Sequence, residues 1–211
     1  MPDPKQILSS LKKEYPGART ALNFAKPHEI LFATILSAQC TDKRVNIVTK
    51  TLFRKYRTIE DYANAKQNEF ENDIRSTGFY RNKAKNIIAA AKKLIVDYNG
   101  KVPDTMEKLI TLPGVARKTA NIVLWNAYGK IEGIAVDTHC GRVSYRLGLT
   151  KNINPIKVER DLMKLYPQKE WPHVTNLMIA HGRAVCKAPN PYCSKCFLFK
   201  LCPKIGVKKQ L

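Results

Sequence analysis

The chain predicts an all-α protein with short connections, and three observations carry that prediction. Apolar residues recur at helical spacing along most of its 211 residues. Runs that alternate with period two are essentially absent, and Gly133-Ile134-Ala135-Val136 is short, apolar and isolated. No low-complexity linker marks a domain boundary, so two lobes would have to share one continuous set of helices. The length suits one domain or two small ones and is enough to bury a real core.

Taken in order, an amphipathic stretch covers roughly 28–38, and Val45, Val48, Leu52 and Tyr56 then repeat at helical spacing. Ile87, Ile88, Ala91, Leu94, Ile95 and Tyr98 form the next stripe, which Asn99-Gly100 stops with a common C-terminal signal. Residues 116–128 read as a helix opened by a Pro-Gly turn, and Asp137 ahead of Thr138-His139-Cys140 is a good N-cap for another. Further stretches cover 155–165 and 173–185. Two segments echo each other. GFYRNKA (78–84) and GVARKTA (114–120) both read G-x-x-R-x-x-A, and each precedes a helical stretch. If the echo is structural, the chain offers two similar turns to one ligand; otherwise it reflects how often Gly precedes a helix.

Charge narrows the function. There are 37 Lys plus Arg against 17 Asp plus Glu, a formal net charge of +20. A surplus that large points to a polyanionic partner, either nucleic acid or an anionic membrane surface. No apolar run reaches the roughly 18 residues of a membrane span. The first ten residues, MPDPKQILSS, lack an apolar region and carry an acid, so neither a secretory signal nor a transit peptide is expected. Nucleic acid is favoured. The surplus is uneven, because Trp171 to Leu211 contains no acid but Arg183 and six lysines. A ribosomal or chromatin protein could share this composition.

LPGVARKTA (112–120) raises a sharper question. It places Lys118 in the first turn of a helix, where the partial positive charge of the helix start disfavours an ammonium, and Arg117 adds a second cation. A solubilising surface lysine is the bland explanation. The cysteines bear on it. Of six, four form Cys186-x6-Cys193-x2-Cys196-x5-Cys202 within 17 residues. Clustered cysteines without a secretory signal read as metal ligands before disulfides. Zinc or an iron–sulfur cluster could each use four thiolates, although the unequal gaps suit paired zinc motifs poorly. Cys40 and Cys140 read as ordinary buried thiols.

The four-cysteine spacing resembles the [4Fe–4S] loop of the endonuclease III family of DNA glycosylases. LPGVARKTA looks like that family's helix–hairpin–helix, AVDTH (135–139) like its catalytic aspartate segment, and LSAQCTD (36–42) and TGFYRNKA (77–84) like its DNA-contacting loops. The resemblance covers nearly the whole chain, in order. It implies a two-lobed helix–hairpin–helix glycosylase fold. A six-helix barrel lobe would span 22–132, with the hairpin at about 107–128, and a cluster lobe would combine 1–21 with 133–211. DNA would lie across the cleft between the lobes.

The resemblance also implies roles. Lys118 would be the nucleophile, attacking C1′ of a damaged nucleotide. An amine does so only when unprotonated, and an ordinary lysine pKa of about 10.4 leaves few such molecules at neutral pH. Positive charge nearby favours the neutral form, so an uncomfortable position is useful. Asp137 would be the catalytic carboxylate, a role compatible with capping. Gln39 and Phe79 would fill the gap left by a flipped nucleotide, with Tyr80 the alternative to Phe79. Their bland readings are a solvated Gln and a core Phe. Asp42, Gly114, Val115, Ala116, Arg117, Thr119 and His139 would complete the DNA contacts. Arg81, Lys83, Lys85 and Arg117 would supply sequence-independent attraction. Cys186, Cys193, Cys196 and Cys202 would hold a [4Fe–4S] cluster.

Two departures stand out. The family's Gly-Val-Gly is Gly114-Val115-Ala116 here, and Gly141 falls inside a helix. The implied activity is a bifunctional glycosylase and abasic-site lyase acting on oxidised pyrimidines in duplex DNA. The expected protein is a monomer in the cytoplasm, associated with the nucleoid. The alternatives are a monofunctional mismatch glycosylase, whose members usually lack the hairpin lysine, and a non-catalytic cluster-bearing DNA-binding module.

Overall fold

Asp3, Thr41, Thr58, Asp137 and Asn154 each accept a backbone N–H of the following turn on a side-chain oxygen, and each thereby opens a helix. The computed structural model describes residues 2–211, and among them are eleven α-helices and no strand. The chain divides into two compact units. One is Ala21–Lys130; the other joins the segment up to Thr20 to Ile131–Leu211.

The Ala21–Lys130 unit contains α2 (Pro27–Leu36), α3 (Asp42–Lys55), α4 (Ile59–Ala63), α5 (Gln67–Ile74), α6 (Tyr80–Tyr98), α7 (Met106–Leu109) and α8 (Arg117–Tyr128), with a 3-10 turn at Arg75–Thr77. Helix α2 is its axis. Every residue from His28 to Leu36 is buried, and the helix packs on α3, α6 and α8. That is why PHEILFATIL shows no polar face: a helix covered all round is apolar all round. Its one buried acid, Glu29, accepts the N–H groups of Ala25 and Lys26 at 2.6 and 3.1 Å. Helix α6 ends as Asn99-Gly100 predicts. Both residues are left-handed, at φ 50° and 68°, and the Gly100 N–H reaches Leu94 O at 2.9 Å.

The other unit contains α1 (Pro4–Glu14), α9 (Thr138–Arg146), α10 (Pro155–Leu165) and α11 (Trp171–Ala184), followed by an irregular segment with a 3-10 turn at Cys193–Lys195. Helix α11 packs on α1 and α9 around Ile7, Leu11, Val143, Leu162 and Met178. Ile134, Ala135 and Val136 form no strand; they are buried in irregular chain that leads into α9.

The periodic stretches at 155–165 and 116–128 match α10 and α8 to within a residue, and α11 begins at Trp171, two residues before its stretch. Helices α1, α4 and α5 fall outside those stretches, because each buries only two or three side chains. In the G-x-x-R-x-x-A echo, Gly78 and Gly114 both have positive φ, 70° and 77°. The registers then differ: α6 begins at Tyr80 behind left-handed Phe79, whereas α8 begins at Arg117 behind extended Ala116.

Gly141 lies inside α9 with negative φ, and a Cβ there would meet Val136 Cγ1 at an ordinary 3.7 Å. Space therefore does not require glycine. Gly141→Ala is expected to stabilise the protein by about 0.5–1 kcal/mol through helix propensity. Urea unfolding of the two proteins measures the difference.

Candidate active site and cysteine loop

Helix α8 starts without a side-chain cap and without an acid in its first turn. The first N–H groups of any helix lack intrahelical partners, so this end presents donors and partial positive charge to whatever approaches. Lys118 is the second residue of α8, and both it and Arg117 are exposed. Thr119 is half-buried. The hairpin before them is held from inside. Val115 is buried, and its N–H donates to Leu112 O at 3.1 Å. Gly114 is required twice over: its φ is 77°, and a Cβ would sit 3.0 Å from Asn86 Cβ. Ala116 has φ −91° and is exposed, so the departure from Gly-Val-Gly imposes no backbone strain.

Gln39 and Phe79 lie in two different loops of the same unit and share an unusual backbone. Both are left-handed, at φ 51° and 49°, and both are exposed, Phe79 to 63%. A left-handed non-glycine costs about 1–2 kcal/mol, and such strain persists only where the surroundings impose it. Phe79 is not a core residue. Tyr80 is the inward partner: it packs against the core and lies beneath the Arg75 and Arg81 guanidinium groups, 5.8 and 5.5 Å from its ring centre. Asp42 is the half-buried first residue of α3, behind the Thr41 cap.

Two expectations need correction. Lys83 is not a surface cation: it is 4% exposed, and its Nζ donates to Leu36 O and Thr77 O, both at 2.8 Å. Burial lowers its proton affinity. Position 83 falls on the inner face of α6, so the long apolar stem is covered and the head finds carbonyls instead of water. Arg81 and Lys85 are exposed. Cys40 is only half-buried, because it sits in the turn after α2, whereas Cys140 is fully buried in α9.

In the other unit Asp137 caps α9. Its Oδ1 accepts the Cys140 N–H at 2.7 Å, which fixes the direction of the half-buried carboxylate. His139 Nδ1 lies 3.1 Å from Arg142 Nη2, and burial lowers the His139 pKa. Gly182 allows α11 this close, since a Cβ there would stand 3.0 Å from His139 Nδ1.

The four clustered cysteines line one cavity with Arg146, His181, Val185, Pro191 and Phe199. Its empty space is about 380 Å³, including the part open to solvent. No disulfide forms among the described residues. Nor do three His, Cys, Asp or Glu side chains among them converge closely enough to hold a single ion. Burial raises the Cys193, Cys196 and Cys202 thiols, Cys196 to about 11, so thiolates here require a cationic partner. Arg142 and Arg146, four residues apart on α9, hold the start of the loop. Arg142 donates to Gly182 O and Cys186 O, and Arg146 donates to Lys187 O at 2.7 Å and Pro189 O at 2.9 Å. Arg146 Nη1 also lies 3.6 Å from Cys186 Sγ. His181, with its pKa lowered to about 4 by burial, is neutral; its ring nitrogens reach Tyr15 Oη at 3.2 Å and Cys196 Sγ at 3.6 Å. The sequence reading missed these two arginines and His181. Their i, i+4 spacing and the clustered cysteines were the available signal.

Comparison with known proteins adds the remaining findings. Residues 32–168 match the HhH-GPD superfamily of base excision DNA repair proteins. The chain is 54% identical over 198 residues to an endonuclease III of Synechocystis sp., covering 94% of this chain and 90% of that one. It is 46% identical over 202 residues to the endonuclease III of Bacillus subtilis, covering 94% and 92%. A solved trapped endonuclease III–DNA covalent intermediate superposes with a TM-score of 0.91 at 48% identity over 95% of both chains. A thermostable thymine-DNA glycosylase follows at TM-score 0.84 and 26% identity over 95% of both chains. With a family model matched over more than half of the chain and endonuclease III relatives up to 54% identical over 94% of it, the chain belongs to the endonuclease III family.

Proposed function

We propose that this protein is a base excision repair enzyme that removes oxidised pyrimidines from duplex DNA and cuts the strand at the resulting site, with Lys118 as nucleophile. The observation that carries this reading is an exposed lysine in the first turn of a helix that has neither a cap nor an acid there. An unprotonated Lys118 amine attacks C1′ of the damaged nucleotide. The glycosidic bond breaks, and its electron pair leaves with the base. Opening of the sugar leaves an imine between Nζ and C1′. The imine makes the 2′ proton acidic, and its removal expels the phosphate on the 3′ side by β-elimination. Asp137 steadies positive charge on the sugar and handles protons, its direction set by the Cys140 N–H. The hairpin lysine also speaks against the monofunctional mismatch reading.

Chemistry on a base requires its removal from the stack, which costs a few kcal/mol. We assign the filling of the gap to Gln39 and Phe79, the two exposed, left-handed residues. Gly114 and Ala116 flank the buried Val115 and offer backbone N–H groups to a phosphate, with Arg117 and Thr119 beside them. Asp42, Tyr80 and His139 complete the contacts, while Arg81 and Lys85 add charge. The barrel lobe corresponds to Ala21–Lys130 and the cluster lobe to the other unit. The substrate is damaged or abasic duplex DNA, met in the cytoplasm at the nucleoid by a single copy of the chain.

The cysteine cavity fits a [4Fe–4S] group better than zinc. A single ion draws thiolates to about 2.3 Å from one point, and the side chains here do not converge in that way. A four-iron cube takes one thiolate at each iron, so its ligands surround a volume. Cys186, Cys193, Cys196 and Cys202 would hold it, and when bound it cross-links the loop through iron–thiolate bonds. Arg142 and Arg146 set the loop's entry by binding its carbonyls.

Two outcomes are expected. Borohydride reduces the imine to a stable protein–DNA adduct. Lys118→Ala and Lys118→Gln should form none and lose strand cleavage by about a thousand-fold or more, while still folding and binding DNA. Asp137→Asn keeps a capping oxygen. It should retain trapping on a pre-formed abasic site while base release falls about 10²–10⁴-fold. Wild-type adduct yield from Lys118→Ala would assign the chemistry to another amine. Separately, anaerobically purified protein should contain about four irons per chain with acid-labile sulfide, lost in Cys202→Ala. Stoichiometric zinc without sulfide would contradict the cluster.

A further inference from the structure

Lys83 is a buried cation that the chemistry above does not use. Its ammonium joins two segments 41 residues apart: Leu36, three residues before Gln39, and Thr77, two residues before Phe79. Each loop has bonds of its own. Ser37 N–H reaches Ala33 O and Cys40 N–H reaches Ser37 O in the first, and Gly78 N–H reaches Arg75 O in the second. Those bonds close each turn locally but do not relate one loop to the other. Lys83 does, and it lies one turn into α6, whose start is Phe79–Tyr80. An apolar side chain of the same volume would fill the space and leave two carbonyls without this donor.

We infer that Lys83 is a positioning residue for base extrusion, holding the Gln39 loop and the Phe79 loop at a fixed separation so that both side chains enter the same gap in the duplex. The inference rests on the proposed roles of Gln39 and Phe79. Two wedges acting on one vacated base pair must keep their spacing, and a short ammonium bridge between their loops supplies it. The two acceptors are neutral, so a deprotonated Lys83 still has N–H donors for both. The left-handed backbone at Gln39 and Phe79 makes the same point: each conformation needs an outside constraint to persist.

The test compares single-turnover release of thymine glycol from a fully paired duplex with release from the same lesion strand paired to a complement that carries a tetrahydrofuran abasic analogue, which has no aldehyde to react, opposite the lesion. The second substrate has no pairing to overcome. Lys83→Met should slow release ten-fold or more on the paired duplex and less than three-fold on the other, with unchanged circular dichroism. In a Gln39→Ala/Phe79→Ala background the same change should add less than two-fold, because there is nothing left to position. If Lys83→Met does not fold, Lys83→Gln, which keeps a polar donor, replaces it in both comparisons. Equal losses on the two substrates, or an undiminished loss in the wedge-deleted background, would overturn the inference. The double variant separates the causes of failure. If Gln39→Ala/Phe79→Ala is itself indifferent to pairing, the wedge assignment fails and the inference with it. If the double variant discriminates and Lys83→Met does not, only the role of Lys83 is wrong.

Discussion

Gly114 turns the chain with a φ of 77° at a point where any Cβ would press on Asn86, and the geometry of the α8 start that carries Lys118 follows from that turn. The left-handed residue lets α8 begin at Arg117, with Val115 buried behind it and Ala116 extended in front. The first N–H groups of such a helix start have no intrahelical partner. A side-chain cap would occupy those donors, and an acid in the first turn would neutralise the partial charge that an approaching phosphate meets. This start has neither. The exposed Lys118 amine stands in that same first turn, beside the donors that a phosphate would meet.

A chain with a net charge of +20 must keep most of its cations on the surface. The few it buries are bound to backbone carbonyls. Lys83 binds Leu36 and Thr77; Arg146 binds Lys187 and Pro189. A carbonyl partner satisfies the donors of a buried cation without a carboxylate, which suits a chain whose last 41 residues contain no acid. It also uses the charge to organise loops, in one unit those that carry Gln39 and Phe79 and in the other the loop that carries the cysteines. Glu29, caught by two N–H groups at the start of α2, is the acidic counterpart.

The all-α class and the main helices were legible because their apolar periodicity is long and their stop signals, such as Asn99-Gly100, are local. Helices α1, α4 and α5 were not, since five to eleven residues with two or three buried side chains make too little pattern. The Asp137 cap was legible because capping depends on neighbours in sequence. Lys83 was misread for the opposite reason: its partners are 47 and 6 residues away, and nothing in GFYRNKA says which of its cations points inward. The G-x-x-R-x-x-A echo captured the two positive-φ glycines but not the one-residue shift in helix start, which depends on Phe79 adopting a left-handed backbone. Likewise the spacing of the cysteines indicated a metal group, whereas the i, i+4 spacing of Arg142 and Arg146 hinted at a shared role without saying which carbonyls they bind.

The claim on which the rest depends is that the nucleophile is the Nζ of Lys118. The most direct measurement uses unmodified protein. It is trapped with borohydride on a duplex containing one abasic site, digested with protease, and the DNA-linked residue is located by mass spectrometry. The account predicts that the modified peptide spans the start of α8 and that the added mass lies on Lys118. Modification of the N-terminal amine or of any other lysine, with Lys118 recovered unmodified, would contradict it.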